Sequence, residues 1–191
     1  MEISLIILIS YLLGSIPFGF LLTKIILKKD IREIGSGNIG ATNVLRTGNK
    51  IIGYSTLILD ILKAVIPILF IKIQFPEFIF ISSLAVFLGH VFPIWLKFNG
   101  GKGVATYVGI LFCINYILGF FFIATWLVVF FISKYSSLSS LLASLIIPIY
   151  YFFIDTENYY FFIIMFILIF YTHRENIKRL KNNTESKTKI Y

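Results

Sequence analysis

The sequence has few charged residues and almost no cysteine for a chain of 191 residues. Charged side chains make up 14% of it, whereas a typical soluble domain carries about 25%. Hydrophobic side chains make up 58%, among them 21 Phe and 11 Tyr, and a soluble fold of this length cannot bury so much apolar surface. A water-soluble globular fold is therefore excluded, and we expect a protein surrounded by lipid.

Other residue types are missing from the patterns that define common sites. The single cysteine, Cys113, lies in an apolar run and excludes a disulfide framework. The two histidines form no cluster with Cys or Asp at metal-ligand spacing, and no G-x-S-x-G nucleophile elbow is present. We therefore predict no metal and no cofactor.

Acidic residues are scarce relative to basic ones, with 9 Asp and Glu against 17 Lys and Arg and a net charge of +8. In a soluble protein this excess would indicate a nucleic-acid partner. In a membrane protein, however, Lys and Arg accumulate in the cytoplasmic loops. We expect no nucleic-acid partner, and we interpret the charge as a marker of the cytoplasmic face.

The apolar runs predict an all-α integral membrane protein, a polytopic bundle of about seven helices. They cover residues 3–27, 51–73, 78–95, 104–118, 120–133, 138–154 and 159–171. The fourth and fifth runs are 15 and 14 residues long, so they are either thin, tilted helices or a re-entrant pair, which would leave five spans. Gly14, Pro17 and Gly19 predict a kink in the first run.

The basic residues predict the orientation. Of the 17 Lys and Arg, 15 fall in loops 28–50, 96–103 and 134–137, in the tail, or at Lys24. The positive-inside rule then places the N-terminus outside and the C-terminus in the cytoplasm, for five spans as for seven. We predict one membrane domain, 1–173, followed by a basic cytoplasmic tail, 174–191.

The first segment that indicates chemistry is residues 35–46, GSGNIGATNVLR. It contains G-x-G-x-x-G, but it follows a membrane helix and not the strand that a dinucleotide site needs. Glycine amides, short polar side chains and an arginine suit phosphate. The candidate ligands are Gly35, Ser36, Gly37, Asn38, Gly40, Thr42, Asn43 and Arg46. A flexible interhelical loop with an Asn or Thr cap is an equally good interpretation of this segment alone.

The second segment is residues 89–106, GHVFPIWLKFNGGKGVAT. Its Gly-Gly-Lys-Gly core is not a Walker motif, because Gly103 stands where Ser or Thr is required. A lysine among glycines at the start of an apolar helix is still a good phosphate site. The candidate ligands are His90, Gly100, Gly101, Lys102 and Gly103. Topological anchoring of Lys102 is the simpler alternative, but anchoring does not require the glycines.

Two further groups of polar residues lie at the same predicted face. His173 and Asn176 share one face if the last helix continues, and histidine suits proton transfer near neutral pH. An interfacial polar cap is the favoured interpretation for this pair in isolation. Ser137 and Ser140 offer hydroxyl groups, although a helix N-terminus built from serines is the safer interpretation of this stretch.

One pair of charges lies inside the second apolar run. Asp60 and Lys63 are three residues apart, and an unpaired charge there costs about 2.5–3.5 kcal/mol on insertion scales. We expect them to pair with each other or with an inward-facing partner. The pattern favours a structural pair but does not separate it from a substrate contact.

Together these segments resemble the bacterial acyl-phosphate-dependent glycerol-3-phosphate acyltransferases of the inner membrane, the PlsY family. Segments 35–46, 89–106 and 173–176 carry the resemblance by their order and spacing, and it extends from about Gly14 to Asn176. Small departures are Ser139, where the family often has Ala or Gly, and Asn99, where a basic or small residue is common.

The resemblance implies transfer of a fatty acyl group from acyl-phosphate to the 1-hydroxyl of glycerol 3-phosphate, without metal or cofactor. The products are 1-acyl-glycerol 3-phosphate and phosphate, the first acylation of phospholipid biosynthesis. The implied partners are the two substrates and the lipid bilayer of the bacterial inner membrane, with the protein acting as a monomer.

The resemblance also implies roles for individual residues. Arg46 and Lys102 would bind phosphate with the neighbouring glycine amides. Ser36 and Asn176 would position the hydroxyl or the acyl carbonyl, and His173 would orient or deprotonate the attacking hydroxyl. The serines at 137 and 140 would line the site.

Two other classes of function are weighed against this one. A small-anion transporter would use the loops to gate a phosphate pathway, but it predicts inverted repeats, and the sequence contains no internal repeat. A structural or regulatory membrane subunit is disfavoured, because it would have no use for two glycine loops that each carry a cation.

Overall fold

The computed structural model describes residues 2–154 and 158–188. Within them every regular element is a helix, which confirms the prediction of an all-α protein. The α-helices are α1 (Glu2–Gly14), α2 (Phe18–Ile26), α3 (Ala41–Leu45), α4 (Lys50–Gln74), α5 (Ile79–Val91), α6 (Val104–Ile114), α7 (Tyr116–Ser133), α8 (Ser136–Phe152), α9 (Tyr159–Thr172) and α10 (Arg174–Lys181). The chain divides into two compact units, Met1–Ile114 and Asn115–Tyr191.

The first apolar run is broken into two helices. α1 ends at Gly14 and α2 begins at Phe18, with Pro17 preceding it at the N-cap. Proline has no N–H to donate to the preceding turn, and its ring clashes with that turn. The predicted kink is therefore a complete interruption of the helix.

Glycines bring α1 and α5 together along the N-terminal unit. A Cβ atom added to Gly14 would collide with the backbone of Val86, and one added to Gly89 would collide with the backbone of Tyr11. Small residues let membrane helices approach to backbone contact in this way. Within the same unit the Tyr11 hydroxyl donates to the Phe92 carbonyl at 2.7 Å.

α4 is the central helix of the N-terminal unit, in contact with α1, α2, α3, α5 and α6. It begins where the Asn49 side chain accepts a hydrogen bond from Ile52 N at 3.0 Å. A cap of this kind satisfies one of the amides that a helix N-terminus leaves unpaired. Asp60 and Lys63 lie near its middle, and both are buried.

The C-terminal unit packs α8 between α7 and α9. The boundary predicted at Gly119, between the runs 104–118 and 120–133, is wrong. The helices separate at Asn115, which caps α7 by accepting from Ile117 N at 2.9 Å. As a result α6 has 11 residues and α7 has 18. Gly119 is a buried residue inside α7.

The outer surface of the protein is strongly apolar. Among the described residues three stretches have the length and composition to cross a membrane, Glu2–Ile26, Pro76–Leu96 and Tyr116–Ser133. Ile132 and Phe153 are 80% and 81% exposed, and contiguous exposed apolar surface of this kind indicates contact with lipid. The count of seven spans stays a prediction.

Candidate functional site

The first glycine loop (residues 35–40) is held together by the side chain of Asn43. Its Nδ2 atom donates to the carbonyls of Ile31 at 3.2 Å, Ile34 at 2.9 Å and Asn38 at 2.8 Å, and its Oδ1 accepts from Ser36 N at 2.9 Å. Asn43 is 3% exposed. It therefore organises the loop, a role that the sequence pattern did not separate from ligand binding.

Two glycines of this loop have backbone angles that other residues rarely adopt. Gly35 has φ +57° and Gly37 has φ +70°, in the left-handed region that favours glycine. A Cβ atom on Gly35 would also lie 2.9 Å from Cδ of Arg46. The loop thus places the exposed Gly35, Ser36 and Arg46 side by side, which is the grouping that a phosphate ligand needs.

The remaining polar residues of the first segment shape the turn into α3. The Asn38 side chain accepts from Gly40 N at 2.9 Å, a local turn that leads the chain into the helix. Gly40 is the N-cap of α3, and Thr42 lies in its first turn. Asn38, Gly40 and Thr42 are all half-buried beside the exposed residues.

The second glycine loop (residues 100–103) folds back onto the end of α5. Gly100 N donates to the Val91 carbonyl at 3.0 Å, and Gly101 N donates to the His90 carbonyl at 3.1 Å. Gly103 has φ +82°, and a Cβ atom there would collide with the ring of Phe87. Only glycine permits this close approach.

Lys102 lies between these glycines, two residues before α6 begins at Val104. Its side chain is half-buried. The N-terminus of a helix carries partial positive charge and amides that point outward, so an anion beside Lys102 meets favourable charge from two sources.

The structure places His90 beneath the second loop. It is 4% exposed, and a Cβ atom added to Gly101 would collide with its Nε2 atom. Its Nδ1 atom lies 3.8 Å from Oδ1 of Asp60 and has no hydrogen-bond partner. His90 therefore supports the second glycine loop from the interior of the protein. The sequence analysis had predicted it as a substrate ligand.

His173 lies at the junction of α9 and α10 in the C-terminal unit. The helix does not continue regularly, because α9 ends at Thr172, although Ile177 N still donates to the His173 carbonyl at 2.9 Å. Nδ1 of His173 lies 2.8 Å from the carbonyl oxygen of Ile169. A carbonyl only accepts, so Nδ1 carries the proton, and in neutral histidine Nε2 then carries the lone pair.

Ser137 and Asn176 meet at one carboxylate of the tail. Oε1 of Glu185 accepts from Ser137 Oγ at 3.0 Å and from Asn176 Nδ2 at 2.8 Å, and Oε2 accepts from Arg179 Nε at 2.6 Å. Oδ1 of Asn176 is buried without a hydrogen-bond partner. The structure thus brings these two predicted site residues together.

Glu185 was missed by the sequence analysis. Burial of its carboxyl raises the pKa, but the hydrogen bonds from Arg179, Asn176 and Ser137 outweigh that effect and lower the pKa from 4.5. The only signal in the sequence is an acidic residue within a basic tail, and such residues are usually solvated.

Ser140 is engaged within its own unit. Its Oγ accepts from Trp126 Nε1 at 3.1 Å and donates to the Ser136 carbonyl at 2.9 Å. The bond from Trp126 ties α7 to α8, and the bond to Ser136 lies within α8. The predicted role of Ser140 in lining the site stays a prediction.

The chemistry that these groups offer is anion binding and hydroxyl orientation. The N-terminal unit provides two glycine loops with a cation each, Arg46 and Lys102. The C-terminal unit provides a histidine of fixed ring orientation and, three residues further along the chain, Asn176. The described residues hold no group of three or more His, Cys, Asp or Glu arranged for a metal ion.

Comparison with known proteins identifies the family. Residues 4–183 match the family model described as glycerol-3-phosphate acyltransferase. The chain belongs to this family.

Its relatives are similar over nearly the full length. A glycerol-3-phosphate acyltransferase of Pelagibacter ubique (strain HTCC1062) is 70% identical over 191 residues, 100% of both chains. One from Bradyrhizobium diazoefficiens is 47% identical over 94% of this chain and 91% of its own length.

A solved structure shares the fold. A crystal structure of PlsY (YgiH), an integral membrane glycerol 3-phosphate acyltransferase in its glycerol 3-phosphate form, superposes with a TM-score of 0.91 at 37% identity. The match covers 98% of this chain and 96% of that one. The resemblance inferred from the sequence motifs and the prediction of a membrane protein are both confirmed.

Proposed function

We propose that the chain transfers a fatty acyl group from acyl-phosphate to the 1-hydroxyl of glycerol 3-phosphate, giving 1-acyl-glycerol 3-phosphate and inorganic phosphate. The observation that carries the proposal is the pair of glycine loops, each with one cation, in a member of the glycerol-3-phosphate acyltransferase family. Both substrates carry a phosphate group, so two phosphate-binding loops match the two substrates.

Arg46 and Lys102 are the phosphate ligands in this proposal. The guanidinium of Arg46 grips phosphate through two parallel hydrogen bonds, and the ammonium of Lys102 acts as a point charge at the start of α6. Backbone amides of residues 35–40 and 100–103 complete the two loops. Neutralising the phosphates lowers the repulsion between two anionic substrates.

The reaction itself needs little more than alignment of the two substrates. The 1-hydroxyl oxygen forms a bond to the acyl carbon, and the bond from that carbon to the phosphate oxygen breaks. Phosphate leaves with the electron pair, and the hydroxyl proton passes to His173 or to the leaving phosphate. Ser36 and Asn176 orient the hydroxyl or the acyl carbonyl, because an activated donor gains most from alignment and charge stabilisation.

An apolar cavity supports the assignment of a fatty acyl substrate. It lies in the N-terminal unit and has a volume of about 330 Å³. Its lining residues are Ile16, Pro17, Phe20, Leu21, Trp95 and Leu96. Ligand sites are mostly apolar clefts with a few polar groups at one end, and a hydrocarbon chain fits such a lining.

The proposal includes a position in the cell. The proposed location is the bacterial inner membrane, with seven spans in one membrane domain, 1–173, followed by the tail, 174–191. The charge distribution favours an outer N-terminus and a cytoplasmic C-terminus, and the proposed site lies at the cytoplasmic face. The protein acts as a monomer without cofactor. Glycerol 3-phosphate is a water-soluble metabolite, so a cytoplasmic site gives it direct access.

The test is a two-substrate assay on purified protein in detergent or lipid. Phosphate release together with 1-acyl-glycerol 3-phosphate is expected only when acyl-phosphate and glycerol 3-phosphate are both present. The donor controls, acyl-CoA and acyl-acyl carrier protein, should give no 1-acyl-glycerol 3-phosphate. No release under these conditions, or equal activity with acyl-CoA, contradicts the proposed donor. Phosphate flux through proteoliposomes without acyl transfer would instead support an anion transporter.

A further inference from the structure

A buried ion pair lies beneath the second glycine loop. Asp60 and Lys63 of α4 are 2% and 5% exposed, and Nζ of Lys63 lies 2.7 Å from Oδ1 of Asp60. A buried pair seldom adds stability over well-packed apolar residues, because both charges lose their hydration. Its presence in the apolar interior of the N-terminal unit therefore needs another explanation.

Lys63 joins α4 to the break between α1 and α2. Its Nζ atom also donates to the Ile16 carbonyl at 2.8 Å. This second bond fixes the ammonium group between the carboxylate of Asp60 and the interrupted helix. The carboxylate is thereby held at one position on α4.

Asp60 contacts both sides of the second glycine loop. Before the loop, Nδ1 of His90 lies 3.8 Å from Oδ1 of Asp60. After the loop, the Thr106 hydroxyl in the first turn of α6 donates to the Asp60 backbone carbonyl at 3.4 Å. One residue of α4 thus faces the segments that enter and leave the loop.

The ring of His90 separates the buried carboxylate from the loop. Its Nδ1 faces Asp60, and its Nε2 lies against Gly101, where there is no room for a Cβ atom. Gly101 N is bonded to the carbonyl of the same histidine at 3.1 Å. The position of Gly101, and with it the start of the Lys102 side chain, depends on where this ring lies.

We infer that Asp60, Lys63 and His90 are positioning residues. They fix the position of the second glycine loop relative to α4 and so place Lys102 for phosphate binding. The inference rests on the proposed role of Lys102 as a phosphate ligand. His90 then acts through Gly101 and does not touch substrate. A displacement of about 1 Å in such a group costs up to 100-fold in catalytic efficiency.

The contact between His90 and Gly101 is tested by a double-mutant cycle. Gly101→Ala should raise KM at least about 10-fold for the substrate whose phosphate Lys102 binds, glycerol 3-phosphate or acyl-phosphate, because the added methyl group pushes the loop off the ring. In a His90→Ala background the same change should have little further effect, since the obstructing ring is gone. Independent effects that multiply in the double variant would overturn the inference.

The buried pair is tested with a matched lysine on the same helix. Lys63→Met should raise the KM of the same substrate at least about 10-fold and lower kcat less. Lys63→Arg, which keeps the charge, should retain most of the wild-type affinity for that substrate. Lys72→Met is the control, because Lys72 also donates to a backbone carbonyl, that of Cys113 at 2.6 Å, away from the loop. Equal effects of Lys63→Met and Lys72→Met, or no rescue by arginine, would contradict a positioning role.

Hydrogen exchange separates this inference from the proposed reaction. The amides of residues 100–103 should exchange faster in Lys63→Met than in wild type or Lys72→Met, and this measurement needs no turnover. If the wild type shows no acyl transfer, the proposed function is wrong, while faster exchange still supports the positioning role. Unchanged exchange with unchanged KM would overturn the positioning role alone.

Discussion

Nδ1 of His173 lies 2.8 Å from the carbonyl oxygen of Ile169, one turn earlier in α9. Because the carbonyl holds the proton on Nδ1, the ring presents Nε2 as its acceptor nitrogen whenever it is neutral. The helix end therefore sets both the tautomer and the direction of the imidazole. This arrangement suits a group that accepts a hydrogen bond from an attacking hydroxyl.

Replacing this histidine should reduce turnover. His173→Ala removes the acceptor nitrogen, and we expect kcat to fall by about 100-fold or more in the two-substrate assay. Arg174→Ala is the matched control, since Arg174 is the next residue and is exposed. A kcat for His173→Ala within a few-fold of the control would remove the histidine from the reaction and leave the phosphate as proton acceptor.

Lys102→Ala should abolish most of the phosphate binding. Loss of a charge-assisted hydrogen bond costs about 1.5–3 kcal/mol, so catalytic efficiency should fall by at least about 10-fold. Lys97→Ala is the control, because Lys97 is an exposed lysine in the same connection between α5 and α6. Kinetic constants for both substrates, measured on variants of equal thermal stability, decide the comparison.

Arg46→Lys should be costly although the charge is kept. Lysine cannot form the two parallel hydrogen bonds of a guanidinium fork, and we expect a loss of about 10-fold in efficiency. Arg32→Lys is the control, since the Arg32 side chain is paired with Asp30 at 2.6 Å. Similar kinetic constants for Arg46→Lys and wild type would show that Arg46 does not bind phosphate through two parallel hydrogen bonds.

The tail should detach from α10 in acid. The folded-state pKa of Glu185 is lowered from 4.5, so its carboxylate stabilises the attached tail above that value and loses this contribution as the pH falls through the lowered pKa. A spin label at Lys187→Cys, in a Cys113→Ser background, should become more mobile in acid. With Glu185→Gln added, the label should be mobile at neutral pH. A label of unchanged mobility in both experiments would contradict the role of the Glu185 carboxylate in holding the tail.

The sequence predicted the class of fold because the apolar runs and turn residues are local signals. Gly14 and Pro17 marked the break after α1 correctly. The boundary between α6 and α7 was misplaced because glycine is a stronger statistical breaker than asparagine, yet here the Asn115 side chain caps the helix while Gly119 packs inside it. A cap depends on side-chain geometry that composition does not reveal.

The site was predictable only in part for a similar reason. Arg46 and Lys102 could be named because glycines surround them in the sequence. The scaffold role of Asn43 and the position of His90 beneath its loop depend on contacts with residues far along the chain. Glu185 was missed because an acidic residue in a basic tail is usually solvated, and nothing in the sequence indicates its bond to Ser137, 48 positions earlier.

The close packing of α1 against α5 also affects how the protein is inserted into the membrane during synthesis. Gly14 packs against Val86, and Gly89 packs against Tyr11, so this face of α1 meets its native partner only when α5 is present. At a synthesis rate of about 5–20 residues per second, α1 waits several seconds in the bilayer before α5 leaves the ribosome. During that interval its glycine-containing face has no native partner. Membrane insertion factors that shield such faces are therefore expected to affect the yield of this protein more than its final stability.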